Sequence, residues 1–147
     1  RAVIPSIIVQ LINGAETVKL GNIHSTRDFN FIKDTISGFI AIMLNEKSVG
    51  QVYNIGSNYE VSIEKVFNII SKNINLNSKI EIQDSRKRPE KSEVERLWAD
   101  NSKAILNLDW TPEYSNLSGF EKGIDETIKW FQSDENINKY KNTGYVT

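Results

Sequence analysis

Residues 25–35 read STRDFNFIKDT, and the order of side chains within them sets the class of fold. Arg27 and Asp28 stand ahead of Phe29 and Phe31, whose period of two is that of a strand with one buried face, "RDFNFI". Asp34 then reads as the N-cap of a helix running to about Asn45, with Ile36, Phe39, Ile40, Met43 and Leu44 as its apolar stripe. A strand feeding directly into an amphipathic helix is a unit of layered α/β architecture. Arg27 raises the functional question. Either it forms a surface ion pair with Asp28, or it waits for an anion that is not part of the protein.

Working outward, Val3, Ile4, Ile7, Ile8, Leu11 and Ile12 repeat with helical spacing, Pro5 is tolerated in a first turn, and Asn13-Gly14 supplies the stop. "TVKLG" predicts a short strand and "NIHST" a loop. Beyond the central helix, "QVYNIGS" predicts a strand that breaks at Gly56, and Ser62 caps a helix with Ile63, Val66, Phe67, Ile70 and Ile74 inward. "KIEIQ" alternates as a strand, Asp84 to Leu97 is charged and irregular, and Asp100 caps a short helix that stops before "LDWTP". A last strong helix spans about Leu117 to Gln132, and residues 134–147 form a polar tail with one or two helical turns at most. The expected class is α/β, with strands and helices mixed.

Composition narrows the function. A chain of 147 residues is one ordinary domain, and 18 basic against 19 acidic residues give a net charge of -1. That balance offers no electrostatic footprint for nucleic acid or for an anionic membrane surface. Cysteine is absent, which excludes disulfides and thiolate metal sites, and no apolar run approaches the roughly 20 residues of a membrane span. The expectation is a cytoplasmic, soluble protein. Because the chain begins at Arg1 with a helical pattern close behind, it is also expected to be an internal start with sequence missing upstream.

Candidate chemistry is sparse. His24 is the single histidine and sits in a predicted loop, so no metal site is expected; neither G-x-G-x-x-G, G-x-x-x-x-G-K-[ST] nor Tyr-x-x-x-Lys occurs. The glycines of "GFEKG" at 119–123 point to close helix packing rather than chemistry. Lysine outnumbers arginine 13 to 5, yet Arg86, Arg88 and Arg96 cluster in one stretch. Two readings stand: a solvated loop whose Arg and Glu residues neutralise one another, or a loop stiffened by Pro89 that aims Arg88. In the second, Arg88 and Arg27 clamp a diphosphate, each charge-assisted bond contributing roughly 1.5–3 kcal/mol. Asn54, before Gly56, is either a turn signal or a ligand-facing residue at a strand end.

Eight stretches in order carry a family resemblance: "RAVIPSII", "VKLG", "RDFNFIKDT", "VYNIGS", "RPE", "ADNSKA", "LDWTP" and "GFEKGIDETIKWF". Together they resemble the C-terminal, substrate-side part of the extended short-chain dehydrogenase/reductases that act on nucleotide sugars, most of all the 4,6-dehydratases of dTDP-glucose and of nucleotide-activated N-acetylglucosamine. The resemblance implies a Rossmann-like NAD(P)-binding superfamily member in which residues 1–133 are the substrate-binding part. It implies a parent enzyme, a homodimer, that removes water from a nucleotide-diphosphate hexose to give a 4-keto-6-deoxy sugar, with NAD held by the half preceding Arg1. It places Arg27 and Arg88 on the diphosphate, Asn54 toward the substrate, Val18 and Leu20 beside the nucleobase, and Arg1 and Ala2 over the sugar nucleotide. Asp28 becomes a structural partner that steadies the Arg27 strand. The glycine-rich fingerprint, the Tyr-x-x-x-Lys pair and the dehydratase Asp-Glu pair are not in this chain, so alone it should catalyse nothing. A 4-epimerase sharing this half, and a stand-alone binding domain, are the alternatives.

Overall fold

The computed structural model describes residues 2–74, 76–87 and 92–137. The chain forms two compact units, one from residues 1–25, 62–94 and 124–147, the other from 26–61 and 95–123.

In the first unit the helical period of the sequence is realised directly. α1 (Val3–Ile12) buries Ile7, Ile8 and Leu11 and packs on α3 (Ile63–Ile74), which buries Val66, Phe67 and Ile70. α1 ends where expected. Gly14 takes a left-handed φ of 77° and donates its N–H to the Leu11 carbonyl at 2.9 Å. Ser62 caps α3 by accepting the Lys65 N–H at 3.2 Å. β1 (Thr17–Leu20) and β4 (Lys79–Ile82) pair in parallel, with Val18 opposite Ile80 and Leu20 opposite Ile82. Ile124, Ile128 and Phe131, from the later part of α5 (Asn116–Phe131), complete the buried set, and α6 (Asp134–Ile137) follows.

The second unit has little regular strand. Its sheet has the order β3-β2-β5, from Glu60–Ser62, Thr26–Asp28 and Arg96–Leu97, with β2 and β5 parallel and Thr26 opposite Arg96. β3 and β5 are too short to leave an alternating pattern, which is why the sequence did not announce them. β2 ends at Asp28 instead of continuing through "RDFNFI". Phe29 and Phe31 leave the ladder for separate aromatic partners, Phe120 at 6.1 Å and Tyr114 at 4.3 Å between centroids.

α2 (Ile32–Leu44) therefore starts two residues before the expected cap, with Phe31 at its N-cap and no capping side chain. Asp34 has a different task. Only 2% exposed, its carboxylate accepts the N–H groups of Glu113 and Tyr114, each at 2.9 Å, and so fixes the turn ahead of α5. The expected apolar stripe of α2 exists, but it is exposed rather than buried. α2 instead meets its own unit through Gly38, set against Ile55, and through Ala41 and Ile42, which pack with Tyr53 and Ile55 around Ala104, Leu108 and Trp110. The last three come from α4 (Ser102–Leu108) and the residues just after it.

"QVYNIGS" is likewise not a strand. Among the described residues no neighbouring strand runs beside it, and side chains take its carbonyls instead: Lys103 on Val52 at 3.0 Å, Asn30 on Ile55 at 3.4 Å, Asn101 on Gly56 at 2.9 Å. The close packing assigned to the GFEKG glycines is present. A Cβ on Gly119 would sit 2.5 Å from the Tyr114 main chain, and one on Gly123 would sit 3.2 Å from the Phe31 ring. Among the described residues no helix is long and apolar enough to cross a membrane.

Replacing Asp34 by alanine leaves two amides at the turn without acceptors, and the cost should be about 2–4 kcal/mol. Urea unfolding of Asp34→Ala beside the wild type measures it; a difference below about 0.5 kcal/mol would mean that water satisfies those amides.

Candidate functional site

Arg27 stands at the centre of β2, half-buried, with Nη1 donating to the Thr26 carbonyl at 2.7 Å. Its position is set by the next residue. The Asp28 carboxylate accepts the Ser57 N–H at 3.1 Å and hydroxyl at 2.6 Å on one oxygen, and the N–H groups of Asn58 at 3.1 Å and Ala99 at 3.3 Å on the other. One side chain thus ties β2 to the turn at 57–58 and to the approach to α4. The turn needs that support, because Asn58 holds a left-handed φ of 56°. Gly56 is obligatory beside it, since a Cβ there would lie 2.5 Å from the Ala99 Cβ and 3.2 Å from an Asp28 oxygen.

Asn54 is exposed and donates from Nδ2 to the Asp100 carbonyl at 3.1 Å. Arg27 and Asn54 therefore hang on one frame, since Asp100 follows the Ala99 that binds Asp28. Asp100 also caps α4, accepting the Ser102 N–H at 2.9 Å and hydroxyl at 2.6 Å, and these bonds hold its carboxyl below the usual range.

The other candidates lie in the first unit or outside the described residues. Ala2 is exposed and extended at the N-cap of α1, accepting the Ser6 N–H at 3.1 Å. Val18 and Leu20 point their side chains into the core of that unit. On the same strand the Gln10 amide takes both the N–H and the carbonyl of Lys19, at 2.9 and 3.4 Å. Arg1 and Arg88, with Pro89 and Lys91, lie outside the described residues.

Of the remaining clustered arginines, Arg86 donates to Gln83 at 2.9 Å within a short 3-10 turn, Asp84–Arg86. Arg96 does not neutralise its own loop. It reaches across the sheet to Glu60, with Nε 2.8 Å from both carboxylate oxygens, and its guanidinium lies 5.2 Å from the Trp98 ring centroid. The Thr26 hydroxyl donates to the same carboxylate at 2.7 Å, so one acid spans all three strands of the sheet that carries Arg27. The Arg96 guanidinium, and after it the Thr26 hydroxyl, hold the Glu60 carboxyl below its ordinary range.

Sequence reasoning missed one concave feature. In the first unit a cavity of about 360 Å³ is lined by Gly21, Asn22, His24, Ile82, Lys87 and Glu93. Gly21 makes its wall possible: a Cβ there would sit 2.4 Å from the Arg86 carbonyl oxygen, so only glycine lets the 84–87 segment lie against the end of β1. The signal was present in "KLGN", a glycine directly after a strand. Lys87 is paired with Asp84 at 2.8 Å, which lowers the Asp84 carboxyl.

A family model described as GDP-mannose 4,6 dehydratase matches residues 1–127. The UDP-N-acetyl-alpha-D-glucosaminuronate decarboxylase of Bacillus cytotoxicus is 32% identical over 136 residues, covering 91% of this chain and 41% of its own. Among solved structures, the dTDP-glucose 4,6-dehydratase of Bacillus anthracis in complex with NAD superposes with a TM-score of 0.76 at 27% identity, covering 91% of this chain and 40% of that one. The UDP-glucuronic acid 4-epimerase of Bacillus cereus, in complex with UDP-glucuronic acid and NAD, gives a TM-score of 0.72 at 27% identity, covering 87% and 40%. The chain thus spans about two fifths of the length of the proteins it matches.

Because Glu60 has a lowered pKa in the folded state, its contribution to stability is complete above the ordinary carboxylate range and fades as pH falls through the folded value. The gap in melting temperature between wild type and Glu60→Gln should be widest near neutral pH and close on acidification. A gap independent of pH would show that the ion pair with Arg96 contributes nothing.

Proposed function

Since the chain belongs to the GDP-mannose 4,6 dehydratase family of extended short-chain dehydrogenase/reductases, we propose that it is the substrate-side part of an NAD-dependent nucleotide-sugar 4,6-dehydratase. The observation that supports this most is the frame around Arg27. A guanidinium in a strand, on a backbone anchored at both ends by Asp28 and Glu60, is a preorganised donor fork for a phosphate. Fixing the backbone beforehand reduces the ordering cost of binding. In this reading Arg88 supplies the second fork on the diphosphate, Asn54 faces the sugar nucleotide, Arg1 and Ala2 border it, and Val18 and Leu20, whose side chains are in the core, take part through their main chain alone.

The chemistry divides accordingly. These 147 residues hold no glycine-rich cradle and no Tyr-x-x-x-Lys pair, so they do not fit NAD, and no redox step runs through them. What they supply is binding: two cations for the diphosphate and an amide toward the sugar, to hold the hexose while hydride and proton transfers are carried out by groups elsewhere in the parent enzyme. A 4-epimerase is the second reading. It is supported by the equal identity, 27%, to the dehydratase and epimerase structures. Both reactions need the same grip on the nucleotide and differ at the sugar.

Titration calorimetry with UDP, dTDP and GDP tests the grip. Arg27→Ala and Arg88→Ala should each weaken the preferred nucleotide by about 10- to 100-fold, the value of one charge-assisted contact pair. Unchanged affinity for all three nucleotides would remove the clamp. Analysis of the product from the preferred nucleotide sugar, a 4-keto-6-deoxy hexose or a C4 epimer, then decides between the two reactions.

A further inference from the structure

Two asparagines keep a buried oxygen unpaired, and both lie against one short segment. Among the described residues, Asn30 Oδ1 and Asn101 Oδ1 are buried side-chain atoms that receive no hydrogen bond. The Asn30 nitrogen donates to the Thr35 hydroxyl at 2.8 Å and to the Ile55 carbonyl at 3.4 Å. The Asn101 nitrogen, on a residue only 1% exposed, donates to the Gly56 carbonyl at 2.9 Å. A carbonyl oxygen unpaired away from water costs stability, and an apolar side chain of similar shape would carry no such penalty. What an amide supplies there, and a leucine does not, is a directed donor. The two donors hold consecutive carbonyls directly after Asn54.

The Asn54 side chain is fixed from the other end. Its Nδ2 donates to the Asp100 carbonyl at 3.1 Å, and because a carbonyl only accepts, the amide has one orientation. Oδ1 is then the atom left without a partner among the described residues, on an exposed side chain. The two segments grip each other reciprocally, Asn54 on the carbonyl of Asp100 and Asn101 on the carbonyl of Gly56, with the Ala99 Cβ set against Gly56 between them. An outward amide oxygen repels phosphate oxygens and takes the O–H of a ligand.

We propose that Asn30 and Asn101 are positioning residues for Asn54, holding the backbone that follows it so that Oδ1 faces the ligand and accepts a hydroxyl of its ribose or hexose. The inference rests on the nucleotide-sugar reading and divides the work within it: Arg27 takes the phosphate, and Asn54 takes a hydroxyl. Asn30 and Asn101 touch neither.

The experiment uses the natural gene product that contains this chain. Titration calorimetry with UDP, dTDP and GDP, and then with the glucose conjugate of the preferred one, gives the affinities. Asn54→Ala should weaken binding about three- to tenfold, the value of one neutral hydrogen bond. A loss shared by the free nucleotide and its conjugate assigns the hydroxyl to ribose, and a loss confined to the conjugate assigns it to the hexose. Asn30→Ala and Asn101→Ala should each reproduce that ligand profile, and in an Asn54→Ala background each should add less than about twofold. Asn101→Leu, which fills the volume but lacks the donor, should match Asn101→Ala in binding. Full additivity with Asn54→Ala, or unfolding of all three positioning variants, would make these asparagines plain structural staples and overturn the inference. Arg27→Ala separates it from the reading it rests on. If that variant weakens binding while the asparagine variants do not, this inference falls alone; if no nucleotide binds at all, the substrate reading falls and takes the inference with it.

Discussion

The carboxylate of Asp28 holds together what strand pairing cannot. The second unit has strands of two and three residues, which provide few ladder bonds, and a single half-buried carboxylate accepts four hydrogen bonds from three residues in two other segments. Bonds from amides and hydroxyls to an ionised acceptor are stronger than neutral ones, so this one group does the work of a longer sheet. Both candidate site residues of that unit are placed by it. Arg27 is its neighbour in β2, and Asn54 is attached to the residue after Ala99.

The same substitution of side chains for ladders recurs around it. Asp34 fixes the turn before α5, Asn30 and Asn101 hold the carbonyls of Ile55 and Gly56, and Trp110 donates its indole N–H to Ser37 at 2.9 Å. Such bonds are specific in direction, so they fix one arrangement of loops where apolar packing alone would permit several. In the first unit the balance is reversed. Parallel pairing of β1 with β4 and the apolar faces of α1 and α3 hold it, and among the described residues polar staples are fewer.

This contrast decides what was legible in the sequence. Ile7, Ile8 and Leu11, or Val66, Phe67 and Ile70, are local patterns, and the helices they predicted are present with their caps, Gly14 and Ser62. Asp34 was misjudged because its acceptor role is defined by amides about eighty positions away, and no local rule can show that. Periodicity identified the stripe on α2 correctly as apolar, but a period says nothing about what covers a face. Likewise Val52 to Ile55 alternate in burial as a strand should, but among the described residues no strand pairs with them. For the candidate site, the sequence pointed to Arg27, Asp28 and Asn54, and the structure gives them a common frame. It could not point to Gln10 on Lys19 or to Glu60 beneath Thr26 and Arg96, since neither residue has an unusual neighbourhood along the chain.

Gly21 carries a consequence for how a protein of this kind can diverge. Its missing Cβ lets the carbonyl of Arg86 approach so closely that any side chain at position 21 would force that main chain back by about 1 Å. Position 21 thus couples the end of β1 to the main chain of the 84–87 segment, and a lineage that gained a side chain there would have to rebuild that wall of the cavity.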